Sequence, residues 1–157
     1  MRMQRKFLST VAALAIGAAG LSAAEAALDA AQVIAARQQD LKSLNKNFKA
    51  LNEELRKSSP DKAVILDSAQ AMEKLAAALP SWFPAGTGPE TGLKTSAKAE
   101  IWTRPADFTR VAEGLSTESH KLAELAVAGD MTAVVAQAKK AGAACGACHE
   151  DFRVKHD

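Results

Sequence analysis

The two cysteines of this chain sit three residues apart and are followed directly by a histidine, as Cys145-Gly146-Ala147-Cys148-His149. That spacing is the one a c-type haem requires. Two thiols add to the two vinyl groups on one edge of the porphyrin, and the adjacent imidazole takes an axial position on the iron. A C-x-x-C pair can also be a redox dithiol or half of a zinc site. The dithiol reading wants a βαβ context, and no strand alternates with helices here. The zinc reading needs two more ligands, which only His120 and His156 could bring from a distance. Covalent haem is therefore the expected cofactor, one per chain.

The N-terminus points the same way. Arg2, Arg5 and Lys6 precede an apolar stretch from Phe7 to Leu21, and Ala24-Glu25-Ala26 fits a cleavage site. This pattern predicts a signal peptide over residues 1–26, a haem domain over 27–157 and a periplasmic location. Charges recur too often in later segments for a membrane span. Losing Arg2, Arg5, Lys6 and Glu25 with the leader lowers Lys+Arg from 20 to 17 and Asp+Glu from 18 to 17. The formal charge then falls from +2 to 0, which excludes the basic footprint of a nucleic-acid binder.

The elements that must position the motif are helical, because no period-2 pattern occurs and apolar residues recur at threes and fours. A first helix runs from about Leu28 to Lys57, with Ile34, Arg37, Leu41, Leu44, Phe48, Leu51 and Leu55 as its inward stripe. Ser58-Ser59-Pro60-Asp61 ends it and opens a second helix, with Pro60 in the first turn and Val64, Ala71, Leu75 and Ala78 inward. Prolines and glycines between Pro80 and Thr103 exclude regular structure through most of a long connection. A third helix starts near Thr103 and buries Phe108, Val111, Leu115, Leu122 and Leu125. Gly129 stops it, and Asp130 caps a fourth, with Val134, Val135, Ala138, Cys145, Cys148 and Phe152 inward. The expected fold is all-α: an antiparallel four-helix bundle with one long loop between helices 2 and 3. Positions 145, 148 and 149 share one face of the last helix, so His149 is expected to point into the bundle.

The chain resembles the cytochrome c′ family. The resemblance is carried by Cys145-Gly146-Ala147-Cys148-His149-Glu150-Asp151-Phe152-Arg153, by Ala97-Lys98-Ala99-Glu100-Ile101-Trp102, by Phe83-Pro84-Ala85-Gly86-Thr87-Gly88, and by Arg37-Gln38. Ala99 departs from it, since the family often has proline there. The resemblance implies that Arg37 and Gln38 lie near the haem propionates and that a homodimer forms. Arg37 has an argument of its own. A lone charge on a buried stripe is costly, and a propionate would satisfy it; the alternative is an arginine snorkelling to the bundle end. Thr87 and Ser96 are further candidates for the propionate edge, with ordinary solvated turn residues as the alternative.

What stands opposite His149 decides the function. Methionine, histidine or lysine there makes a six-coordinate electron carrier. Met1 and Met3 leave with the leader, and Met131 lies roughly 27 Å from His149 along one helix. Met72 reads as packing and His120 as a solvated or capping residue. In the family register Leu41 occupies the distal position, where relatives of the cytochrome c-556 type carry methionine. Leucine cannot ligate iron, and an apolar wall with Phe48 on the same face gives bound dioxygen no hydrogen bond. The expected protein is thus not an enzyme. It is a five-coordinate haem protein binding NO and CO, with weak or absent oxygen binding and an unknown redox partner. A low-spin electron carrier is the alternative. Arg153, one turn past His149, either shields the proximal side or makes a surface salt bridge.

Overall fold

The computed structural model describes residues 18–155, with side chains from residue 29 onward. Residues 1–17, which hold the basic start of the expected leader, and His156 lie outside the described residues. Among the described residues five α-helices follow in order: α1 (Ala18–Leu55), α2 (Lys62–Ala78), α3 (Glu100–Thr103), α4 (Pro105–Ala128) and α5 (Met131–Phe152). α1 is already helical at Ala18, the first described residue and ten before the expected start, and it is continuous through Ala24-Glu25-Ala26. Among the described residues there is no strand, and an isolated bridge joins Ala97 to Arg153.

The two tight turns form for local reasons. Asp61 caps α2 by accepting from the Ala63 and Val64 amides at 2.9 and 3.3 Å. Pro60 therefore precedes the cap instead of occupying the first turn. Glu54 holds this corner from the other side. It pairs with Lys57, accepts the Asp61 amide at 3.1 Å, and has its pKa lowered first by Lys57. At the other turn Gly129 takes φ 76°, a left-handed conformation that closes α4, and Asp130 accepts from the Ala133 amide at 2.9 Å.

Aromatic contacts fix how the helices run. Phe83, just past α2, meets Phe108 near the start of α4 at 5.0 Å between ring centroids, and Phe108 meets Phe152 at the end of α5 at 5.4 Å. Arg37 of α1 lies over the same Phe83 ring at 4.6 Å. The early part of α1, the end of α2, the start of α4 and the end of α5 therefore share one end of the bundle, and successive long helices are antiparallel. α1 packs on α2, α2 on α4 and α4 on α5, whereas α1 and α5 stand apart over most of their length.

The core corrects the expected helix faces on two helices. On α2 the buried residues are Ile65, Ser68, Ala69, Met72 and Ala76, one position on from the expected stripe; Val64, Ala71 and Leu75 are half-buried and Ala78 is exposed. The cause is that α2 lies between two neighbours, α1 and α4, so its buried arc is wide and centred between them. On α5, Val135 is exposed, and Gln137 is buried in its place with its amide donating to Glu118. The long connection also carries more structure than its prolines suggest. It contains 3-10 turns at Leu79–Trp82 and Pro89–Thr91, then α3, and α4 itself starts at Pro105 after a break at Arg104.

Candidate haem-attachment site

Cys145 and Cys148 are free and half-buried on the last turns of α5, on the same face as His149. Burial pushes both thiols up, Cys148 to about 11 with help from Cys145 and Asp151. His149 is exposed, so no described side chain covers its ring. Its pKa is lowered, first by desolvation and then by Arg153. A neutral imidazole with a free lone pair is the form that ligates a metal.

The end of α5 is pinned by the long connection. Lys98 donates its amide to the Phe152 carbonyl at 3.0 Å, and Val154 donates to Ser96 at 2.8 Å. The Lys98 ammonium reaches the Glu150 carbonyl at 3.0 Å, while Arg104 bonds Asp151 at 3.1 Å. Ser96 thus serves this joint through its carbonyl. Arg153 is exposed and bridges to Ala97, and among the described residues it forms no ion pair.

Arg37 is buried, at 2 % exposure, as its place on the stripe required. Its partners are protein groups, which the sequence did not reveal. Nη1 donates to Thr87 Oγ1 at 3.2 Å, and Nη2 donates to the Thr87 carbonyl at 3.1 Å and to Thr95 Oγ1 at 3.2 Å. The guanidinium also stacks on Phe83, with Trp102 at 5.8 Å. Burial lowers its pKa and Glu90 opposes that shift. Thr87 is correspondingly not a solvated turn residue. It is buried, and its hydroxyl donates to the Pro84 carbonyl at 2.8 Å. Gln38 adds a bond from Nε2 to the Lys94 carbonyl at 3.0 Å. Together these contacts strap the long connection across α1. Thr95 was missed because a threonine in a polar loop carries no sequence signal. Phe83 and Trp102 stood in the quoted motifs without a role.

On the other side of the motif, the Phe48 ring of α1 lies over Gly142 of α5. A Cβ built on Gly142 would stand 3.0 Å from the ring's Cζ. Antiparallel helices rise equally, about 1.5 Å per residue. Seven residues from this contact in the direction of the strap, Leu41 and His149 therefore stand level across the gap between α1 and α5. Leu41 is half-buried and packed on the core. Met72 is fully buried within the core on α2, as packing. His120 is exposed on α4 and bridges Glu73 of α2 at 2.6 Å and Glu124 at 3.4 Å, away from the motif. Among the described residues, no cluster of three or more His, Cys, Asp and Glu side chains could hold a metal ion, so the zinc alternative finds no ligand set there.

The cytochrome c′ family model matches residues 32–153. The chain belongs to the cytochrome c′ family. Among curated relatives, cytochrome c′ of Rhodocyclus tenuis is 44% identical over 78 residues, covering 48% of this chain and 57% of the relative. Cytochrome c-556 of Agrobacterium tumefaciens (strain B2A) is 42% identical over 81 residues, covering 51% and 62%. The chain thus spans somewhat more than half the length of these relatives. The solved structures agree over more of the fold. A cytochrome c′ described as having a ligand-controlled dimer dissociation aligns with TM-score 0.73 and 25% identity, over 79% of this chain and 95% of that one. A nitric oxide complex and a carbon monoxide-bound variant of cytochrome c prime from Alcaligenes xylosoxidans each align with TM-score 0.72 and 26% identity, over 80% and 97%. The family's covalently bound c-type haem fits the donors present here: two thiols three residues apart, and an imidazole on the same helix face.

Proposed function

We propose that this member of the cytochrome c′ family is a five-coordinate haem protein that binds NO and CO. Cys145 and Cys148 form the thioethers and His149 is the axial ligand. The observation that carries the reading is the residue level with His149 on the facing helix. Leu41 offers hydrocarbon and no lone pair, so it walls the distal side without ligating. Phe48 continues that wall toward the far end of the bundle. The haem supplies the iron on which gas binding depends; the chain decides what can approach it. An apolar wall favours neutral diatomics and withholds the hydrogen bond that dioxygen needs.

Arg37 holds a propionate in this reading. A guanidinium has five N–H donors, and three bonds to Thr87 and Thr95 leave donors for one carboxylate. Gln38, Thr87 and Ser96 stand along the same strap. Arg153 keeps positive charge beside His149 on the proximal side. The leader over residues 1–26, the domain over 27–157 and the periplasmic location belong to the same proposal, as does a homodimer, for which the dimeric relative is support. No helix among the described residues is long and apolar enough to cross a membrane. The role is gas binding, with electron transfer to an unidentified redox partner, and not substrate turnover.

The likeness to a cytochrome c-556 favours one second reading, a six-coordinate low-spin electron carrier. Visible spectra of the oxidised and reduced holoprotein separate the two. A high-spin spectrum that shifts on adding NO or CO is expected; a low-spin spectrum in both states would remove Leu41 from its assigned place.

A further inference from the structure

The contact between α1 and α5 beside the motif rests on a missing side chain. Gly142 lies one turn before Cys145, and the Phe48 ring occupies the space in which its Cβ would stand: Cζ would be 3.0 Å away, with Cε1 and Cε2 at 3.8 and 3.9 Å. Gly114 and Gly146, the other helical glycines with described surroundings, have nothing within 4 Å of a built Cβ. The close approach is therefore particular to this position. The backbone of α1 cannot retreat to relieve it, because Leu44 and Leu51, on either side of Phe48, are buried in the core. The ring itself can move. Beyond it, away from Leu41, lies an open hollow lined by Lys49, Asn52, Glu53 and Arg56.

We propose that Gly142 is a positioning residue for the gas site: by lacking a side chain it seats the Phe48 ring on α5, and the seated ring sets the width of the α1–α5 cleft two helical turns from Leu41. The proposal rests on the reading of Leu41 as the distal wall. A methyl group at 142 needs the ring to give by a few tenths of an ångström, and the side on which it can yield is the hollow. Displacing it there draws hydrocarbon out of the cleft and makes access for a diatomic easier.

The test is a double-mutant cycle on the haem-loaded protein, with CO association followed by flash photolysis. Phe48→Ala is expected to speed CO association several-fold, and Gly142→Ala to speed it by less. In the Phe48→Ala background, Gly142→Ala should change nothing further, because the ring through which it acts is gone. A rate unmoved by Gly142→Ala, or an equal acceleration with and without the ring, overturns the proposal. Gly142→Ser, slightly larger than alanine, should exceed its effect; a Gly142→Ser rate at the parental value also overturns it. Leu41→Ala run alongside separates the two levels of inference. If it speeds CO binding while Gly142→Ala does not, the role of Gly142 fails and the distal wall stands. If neither responds, the distal wall fails as well.

Discussion

Two helix seams of this bundle solve opposite problems. Along α2 and α4 small side chains alternate with larger ones, with Ala69, Met72 and Ala76 on one side and Ala112, Leu115, Ser119 and Leu122 on the other, all buried. Small side chains let helices approach closely, and methionine fills what is left. Along α1 and α5 the helices separate, meeting where Phe48 reaches Gly142. The first seam supplies stability. The second leaves the C-x-x-C-H face of α5 looking toward Leu41, at the cost of contacts that an ordinary bundle would have made. A gap in a bundle is thus left by withholding packing on one side while the other three seams hold the helices.

This division can be broken deliberately. The largest effect is expected at the closed seam. Met72→Ala removes a fully buried side chain and should cost about 2–5 kcal/mol in denaturant unfolding. Next comes Arg37→Met, which keeps much of the hydrocarbon but leaves the Thr87 and Thr95 oxygens without their donor. A loss of about 1–3 kcal/mol is expected, with faster amide exchange across residues 84–95 as the sign that the strap has loosened. At the open seam, Leu41→Ala should cost less stability than Met72→Ala, because Leu41 is only half-buried, yet speed CO binding more than any closed-seam substitution. Equal CO rates for the two variants would erase the functional distinction between the seams. The smallest effect is expected at His120, an exposed clasp from α4 to Glu73 of α2. Glu73, then Glu124, raises its pKa. Its contribution is therefore fully present below the ordinary histidine value of about 6.5 and disappears as pH rises through the raised folded value. The gap in melting temperature between the parent and His120→Gln should close over that rise. A gap that widened instead would mean that the clasp works through the neutral ring.

Much of this was legible in the sequence. Four long helices, the Asp130 cap, the Gly129 stop and the burial of Arg37 follow from periodicity and cap chemistry, whereas the cap of α2 falls on Asp61, one residue past the proline expected in its first turn. The motif on α5 was legible because the cofactor dictates its spacing. Less visible were features set by tertiary neighbours. The buried face of α2 shifted because two helices share it, which a single-helix stripe cannot express. Val135 looked like core by its apolarity, while Gln137 earned burial through Glu118. Thr87 looked like a turn residue until its bonds to Arg37 and Pro84 were seen. The strap joins residues about fifty to sixty positions apart, and no local pattern encodes such pairings. Helix geometry places His149 on the motif face, but not that it is left uncovered, which follows from how far α1 stands from α5.

The strap also determines what can be watched. Both tryptophans of the chain, Trp82 and Trp102, fall within or beside the long connection, and Trp102 donates Nε1–H to the Pro84 carbonyl at 3.0 Å. Its ring meets Phe83 edge-on at 6.1 Å, against the same residue that carries Arg37. Intrinsic fluorescence in this protein is therefore a local signal from the latched end of the bundle. It reports whether the connection is seated, while the helices themselves are seen by circular dichroism. When the two signals part company, the difference between them measures how independently the latch opens.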